Sequence, residues 1–231
     1  MNKSEQAMKK IADFYFPDEE NYEFYINEIK QKGCFQKEHL YEGLKYVSNF
    51  NVAVDVGANI GTWSIEMAKH FNKVYSFEIY PPTFECLKKN IEERNLENKI
   101  FINLCGLGDK REKVSLMNDE KIHNTVASLA ISYKGELKYD VLTLDDFTFE
   151  DLNFLKIDVE GYEAKVLIGG KKTITKFKPI ILLEYKERKA KFFGGVKMID
   201  AAIKELNYKK MGGMHNDIVY AHESYNPKLK K

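Results

Sequence analysis

From residue 51 onward, short β-branched runs alternate with stretches of helical periodicity, and that alternation limits the fold more than any other feature. The runs are Val52 to Val56, Lys73 to Glu78, Lys99 to Leu104, Phe154 to Asp158, Ile180 to Glu184, Tyr208 to Met211 and Ile218 to Ala221. Helical patterns lie between them at 62–71, 82–95, 162–176 and 196–206; in the second, Phe84, Leu87 and Ile91 recur at the spacing that lays apolar side chains on one face. Buried strands alternating with helices predict an α/β, Rossmann-like, doubly wound and mostly parallel sheet, in which ligands bind beyond the carboxyl ends of the strands. Functional residues are therefore expected just after a strand. Gly212-Gly213-Met214-His215-Asn216 joins the last two runs as a hairpin-like link, so the last strand is expected to run antiparallel.

Residues 1–50 are polar and aromatic without a β-period, and they predict an N-terminal helical annex with helices near 4–15, 18–31 and 36–48, ahead of a domain over 51–231. Leu40, Leu44 and Val47 give the third of these a docking face, and Phe14, Tyr15, Phe16, Tyr22, Phe24 and Tyr25 either cover the sheet's helices or form an interface. The 231 residues carry 36 Lys plus Arg against 35 Asp plus Glu, a net +1 that gives no bulk attraction to nucleic acid or anionic membrane. Apolar runs stop at four or five residues, against about 18 to 20 for a bilayer span. No apolar segment follows MNKSEQAMKK, and Cys34, Cys86 and Cys105 are scattered, so a reduced, cytoplasmic setting is expected. The Lys228–Lys231 tail reads as a frayed end.

Val54-Asp55-Val56-Gly57-Ala58-Asn59-Ile60-Gly61-Thr62-Trp63 reads as strand, tight turn and helix start. Glycines let backbone approach a ligand closely, and free N–H groups at a helix start favour a carboxylate or phosphate. The G-x-G-x-x-G spacing of a dinucleotide loop is absent, because Asn59 stands at the middle glycine. Asp55 would repel a pyrophosphate but suit a ligand ammonium, as in the methionine part of S-adenosylmethionine (SAM). Glu78, twenty-one residues after Gly57, ends the next strand, where an acid can accept both ribose hydroxyls; it fits NAD and SAM equally. Ile79 beside it, Leu107 as an apolar face and Asp109 as an edge contact complete the expected adenosine site.

DVGANIGTW (55–63), SFEIYPPTFECLKKN (76–90), FLKIDVEGYEAKVLIGG (154–170) and PIILLEY (179–185), in this order, resemble the FkbM family of SAM-dependent methyltransferases over about residues 50 to 221. The resemblance implies a class I methyltransferase fold with a seven-stranded sheet, and O-methylation of hydroxyls, often on sugars, glycans or natural products. Two departures are Ile79-Tyr80, where a proline more often follows the acid, and Gly169-Gly170, where Gly-Ala is usual.

Methyl transfer is an in-line displacement, so the acceptor oxygen must be held opposite sulfur, and a nearby base adds roughly 10² to 10⁴ in rate. Asp158 and Glu160, after the fourth strand, are the leading base or acceptor-orienting pair; as the plainer alternative they cap the following helix. Glu184 ends the next strand and faces the same crevice, and with Asp158 it would make an oxygen-ligand Mg²⁺ site that the resemblance does not require. His215, in the final link, is a candidate base near neutral pH, and His123 a candidate for a substrate loop. His39, His70 and His222 read as surface or packing residues. Trp63, Tyr133, Tyr162 and Tyr185 are candidate platforms for a sugar. Base methylation is disfavoured because an acid or amide followed by Pro-Pro-aromatic is missing; Asp158-Val159-Glu160-Gly161 stands there. An NAD-dependent oxidoreductase and a non-catalytic interaction module are the other readings.

Overall fold

The structure, a computed structural model, describes residues 8–18, 23–118, 129–132 and 138–226. In chain order the elements begin with β1 (Met8–Ile11), β2 (Phe14–Pro17), α1 (Glu23–Lys32) and α2 (Lys37–Leu44). There follow β3 (Val52–Val56), α3 (Thr62–Met67), β4 (Lys73–Glu78), α4 (Pro81–Glu92) and β5 (Ile100–Leu104). An inserted group holds β6 (Gly106–Leu107), β7 (Glu112–Asn118), β8 (Leu129–Ser132) and β9 (Tyr139–Leu142). The chain then forms β10 (Phe154–Ile157), α5 (Glu163–Gly169), α6 (Lys171–Phe177), β11 (Ile180–Glu184), α7 (Glu187–Ala190), α8 (Val196–Glu205), β12 (Tyr208–Met214) and β13 (Asp217–His222).

Seven of these strands make the main sheet, in the order β12-β13-β11-β10-β3-β4-β5. β11, β10, β3, β4 and β5 are parallel, and β13 runs antiparallel to both its neighbours. These are the seven strands expected, and the reversal falls on the last one. Strand order changes direction between β3 and β10, so the crevice above their carboxyl ends is the topological switch point. One face is covered by β1–β2 and α1–α4, the other by α5, α6 and α8, and both faces of β3 and β10 are buried. Burial on both sides is why these strands read as continuous apolar runs.

Three expectations fail. The helix over 4–15 is, over its described residues, a β-hairpin: Ala12 and Asp13 take left-handed φ of 52° and 63°, as a two-residue turn requires, while Phe14 and Phe16 are buried and Tyr15 points outward. The stretch 162–176 divides at Gly170 into α5 and α6. The four-stranded sheet, in order β6-β9-β7-β8, sits where no strand was expected. Of α2's docking face, Leu40 and Leu44 are buried with Val47 in the same cluster as Phe154 and Leu182 of the main sheet, so residues 23–47 share the sheet's core. Among the described residues no helix is long and apolar enough to cross a membrane. His123, Tyr22 and Tyr133 lie outside the described residues, as does the lysine tail.

Candidate active site

At the end of β3 the loop closes on itself. The Gly57 and Ala58 N–H groups both donate to Phe77 O at 3.0 Å, and Gly61 N–H donates to Ala58 O at 2.9 Å. Asn59 N–H donates to Glu78 Oε2 at 2.8 Å, and Ile60 N–H to the Asn59 side-chain oxygen at 2.7 Å. These five loop amides are thus satisfied inside the protein. Asn59 takes a φ of 52°, which asparagine tolerates, and its carboxamide caps the next amide, so it replaces the missing glycine on its own terms. Gly57 has no such substitute: its φ is +79°, and a Cβ there would lie 1.9 Å from Asp158 O.

Asp55 is fully buried beneath this loop, not in the cavity wall. Its Oδ1 lies 3.0 Å from Lys156 Nζ and its Oδ2 accepts from Ser64 Oγ at 2.6 Å. The chain's own ammonium therefore neutralises the carboxylate that was expected to meet a ligand ammonium. Burial by itself would push Lys156 down, but Asp55 and Asp158 hold it above the usual lysine range, so it stays charged. Gly61 likewise lies behind the wall, at the N-terminus of α3.

Glu78 is 8% exposed and lines the cavity. Besides Asn59, it accepts the Tyr80 N–H on Oε1 at 2.8 Å. Burial pushes its carboxyl up while these two N–H groups pull it back. A carboxylate has about four acceptor sites, so two remain for a ligand, on a side chain already fixed in place. Ile79 and Leu107 line the wall beside it. Asp109 does not; it lies 3.3 Å from Lys165.

After β10 the chain turns through Asp158-Val159-Glu160-Gly161, with Glu160 at φ 58° and Gly161 at φ 104°. The turn is held by Glu163, whose Oε1 accepts Gly161 N–H at 2.9 Å and Val159 N–H at 3.2 Å. Burial pushes the Glu163 carboxyl up to about 7 against those same bonds. Sequence reasoning passed over this residue, although an acid two positions after a glycine turn was a signal for it. Asp158 and Glu160 line the cavity, and each has a carboxylate oxygen within 4.8 Å of one on Glu184.

Glu184 itself stands one strand behind, 6% exposed, with Lys186 Nζ on its Oε1. Burial and the neighbouring Asp158 push its carboxyl well up. Its register partner Asp217 is also pushed up by burial and Asp158, and Asp217 Oδ2 lies 2.5 Å from His39 Nδ1. His215 is exposed at the turn and stacks on His39, ring centroids 5.2 Å apart. His39, read from the sequence as a packing residue, is thus the link between His215 and the carboxylates. The spacing of Asp158, Glu160 and Glu184 matches oxygen ligands of a hard cation, with Lys186 Nζ on the Oε1 of Glu184.

The cavity holds about 1000 Å³, open solvent at its mouth included. Its wall also carries aromatic side chains: Trp63, Tyr162, and Tyr25 with Phe35, stacked at a 3.8 Å centroid separation. Trp63 Nε1 donates to Phe35 O at 2.6 Å, which ties the N-terminal region to α3. Tyr185 lies off this wall, with its hydroxyl 3.1 Å from both Asp200 oxygens. Tyr25 and Phe35 were missed as site residues because no β- or α-period marks a contact made across the sheet.

A parallel switch-point sheet with its last strand reversed, a strand-end acid locked to the glycine loop, and two carboxylates after β10 define a class I methyltransferase architecture. The family model for the methyltransferase FkbM domain matches residues 55–210, and the chain belongs to that family of SAM-dependent methyltransferases. Membership decides for SAM over NAD, which the glycine loop and Glu78 left open. Methyltransferase 1 of Beauveria bassiana is 29% identical over 143 residues, covering 50% of this chain and 57% of that protein. The tRNA (guanine(37)-N(1))-methyltransferase Trm5b of Methanocaldococcus jannaschii is 44% identical over 58 residues, 25% of this chain and 17% of that one. The chain therefore spans little more than half the length of the first relative and far less of the second. Among solved structures, the FkbM methyltransferase of Methylobacillus flagellatus superposes with TM-score 0.54 at 19% identity, over 74% of this chain and 43% of that chain. A candidate methyltransferase from Streptococcus mutans, in complex with S-adenosylhomocysteine (SAH), gives TM-score 0.52 at 14% identity over 80% and 95%.

Proposed function

We propose that this chain transfers the methyl group of SAM to a hydroxyl of a sugar, a glycan or another polar small molecule. The observation that carries this reading is the make-up of the cavity lining, which includes two carboxylates, Asp158 and Glu160, and the aromatic side chains of Trp63, Tyr25 and Phe35. Flat aromatic faces bury the apolar side of a polyol ring, and carboxylates accept its hydroxyl protons. SAM supplies an electrophilic methyl group when bound. Glu78 orients the ribose hydroxyls, Leu107 and Ile79 flank the adenine, and Asp158 or Glu160 accepts the proton that leaves the acceptor hydroxyl. Glu184 and Asp217, pushed up by burial and by Asp158, keep negative charge from accumulating behind that base.

The test is transfer of labelled methyl from SAM to a panel of hexoses, uronic acids, phenols, amines and unmodified tRNA. Label in an alkali-stable ether of a polyol supports the reading; label confined to amines or to tRNA overturns it. In the same assay Asp158→Asn and Glu160→Gln are expected to bind SAH normally, and the variant that removes the base is expected to lose turnover by roughly 10² or more. Full turnover in both would remove the base assignment.

A further inference from the structure

Lys156 takes no part in the steps above, yet its ammonium is buried in the cavity wall directly under the cofactor loop. It lies 3.0 Å from Asp55 Oδ1 and donates to Gly57 O at 2.7 Å and Val56 O at 3.2 Å. The Trp63 ring is 5.5 Å away. Two of its N–H groups go to these carbonyls, and Asp55 faces it as an ion pair.

The Gly57 carbonyl and the Ala58 N–H belong to one planar peptide unit. Phe77 O takes the N–H end at 3.0 Å and Lys156 takes the carbonyl end at 2.7 Å. The next amide along is the Asn59 N–H that fixes Glu78. We propose that Lys156 is a positioning residue for the cofactor: anchored on Asp55, it locks the Gly57–Ala58 peptide plane and so sets where Asn59 and Glu78 stand before SAM arrives. Glycine at φ +79° permits this plane to rotate at little cost, so the loop needs an outside hold, and in this chain it comes from the neighbouring strand β10. The proposal concerns cofactor binding alone and stands whatever the methyl acceptor is.

Lys156→Met by itself leaves Asp55 buried and unpaired, which is destabilising for a reason unrelated to the loop. The informative variant is therefore Asp55→Asn with Lys156→Met, which removes both charges together. Thermal unfolding without ligand and calorimetric titration with SAH are measured side by side. The double variant is expected to unfold near the wild-type temperature and to bind SAH about tenfold or more weaker, because the Gly57 carbonyl has lost its donor. Wild-type SAH affinity in a folded double variant would overturn the proposal and leave Lys156 as a mere partner for Asp55. If the double variant does not fold, the wild-type protein decides. A scalar coupling across the hydrogen bond from Lys156 Nζ to the Gly57 carbonyl carbon, observed by NMR and retained on adding SAH, supports the lock, whereas its absence or its loss on adding SAH overturns it.

Discussion

Glu78 and Asn59 are joined by one hydrogen bond of 2.8 Å, from the Asn59 N–H to Oε2, so the strand-end acid and the glycine loop move as a unit. Glu78→Ala is expected to weaken SAH binding on the order of 10²-fold, since it removes the ligand's acceptors and frees the loop together. Glu78→Gln is no benign isostere here: its amide nitrogen must face either the Asn59 or the Tyr80 N–H. It is expected to lose affinity as well, read by titration of the single tryptophan's fluorescence, because Trp63 lines the same cavity.

Glu163 makes stability depend on pH. Its carboxyl is raised to about 7 from an ordinary 4.5, so the folded state holds a proton that the unfolded chain releases. The resulting stability is complete below about pH 4.5 and is lost as pH rises through about 7, about 3 kcal/mol in all. Glu163→Gln retains the oxygen that accepts the Val159 and Gly161 N–H groups and cannot ionise. Its midpoint should match wild type at pH 5 and exceed it at pH 8; equal midpoints at both would show that Glu163 does not titrate this way.

Asn90 is wholly buried and stitches the N-terminal hairpin to the cofactor loop. It accepts the Tyr15 N–H at 2.7 Å and donates to Tyr15 O at 3.1 Å and Ile60 O at 2.9 Å. Asn90→Ala leaves three backbone groups without this partner and is expected to cost about 2 to 4 kcal/mol in urea unfolding.

Gly169 and Gly170 are adjacent but respond oppositely to an added methyl. At Gly169 a Cβ would lie 1.8 Å from Gly108 O, a backbone atom that cannot yield, so Gly169→Ala should destabilise by more than about 3 kcal/mol. At Gly170 the nearest atom is Leu144 Cδ2 at 2.8 Å, the free end of a side chain. Gly170→Ala should fall within about 1 kcal/mol of wild type in the same thermal measurement.

The main sheet was legible because its central strands β3, β10 and β11 are buried on both faces and leave unbroken apolar runs between helices. The hairpin at residues 8–17 was not, because only Phe14 and Phe16 carry its alternation and the aromatic Tyr15 between them hides it. The small sheet after β5 was missed because β6, β8 and β9 have four residues or fewer, and Tyr139 to Leu142 is half exposed. In the site, Glu78, Ile79, Leu107, Asp158 and Glu160 reach the cavity because each follows a strand of the main sheet or of its insertion. Asp55 lies within β3, one residue short of its end and in register with Lys156, and it is held there by that lysine. Asp109 went instead to Lys165 on α5.

Tyr25, Phe35 and Gln36 line the cavity, and all three precede residue 55, where the family match begins. The other lining residues, from Val56 to Tyr162, all lie inside the match, so the cavity is completed only where sequence ahead of the match meets sequence within it. Grafting residues 23–47 onto a relative would accordingly exchange three positions of the lining and leave the rest in place.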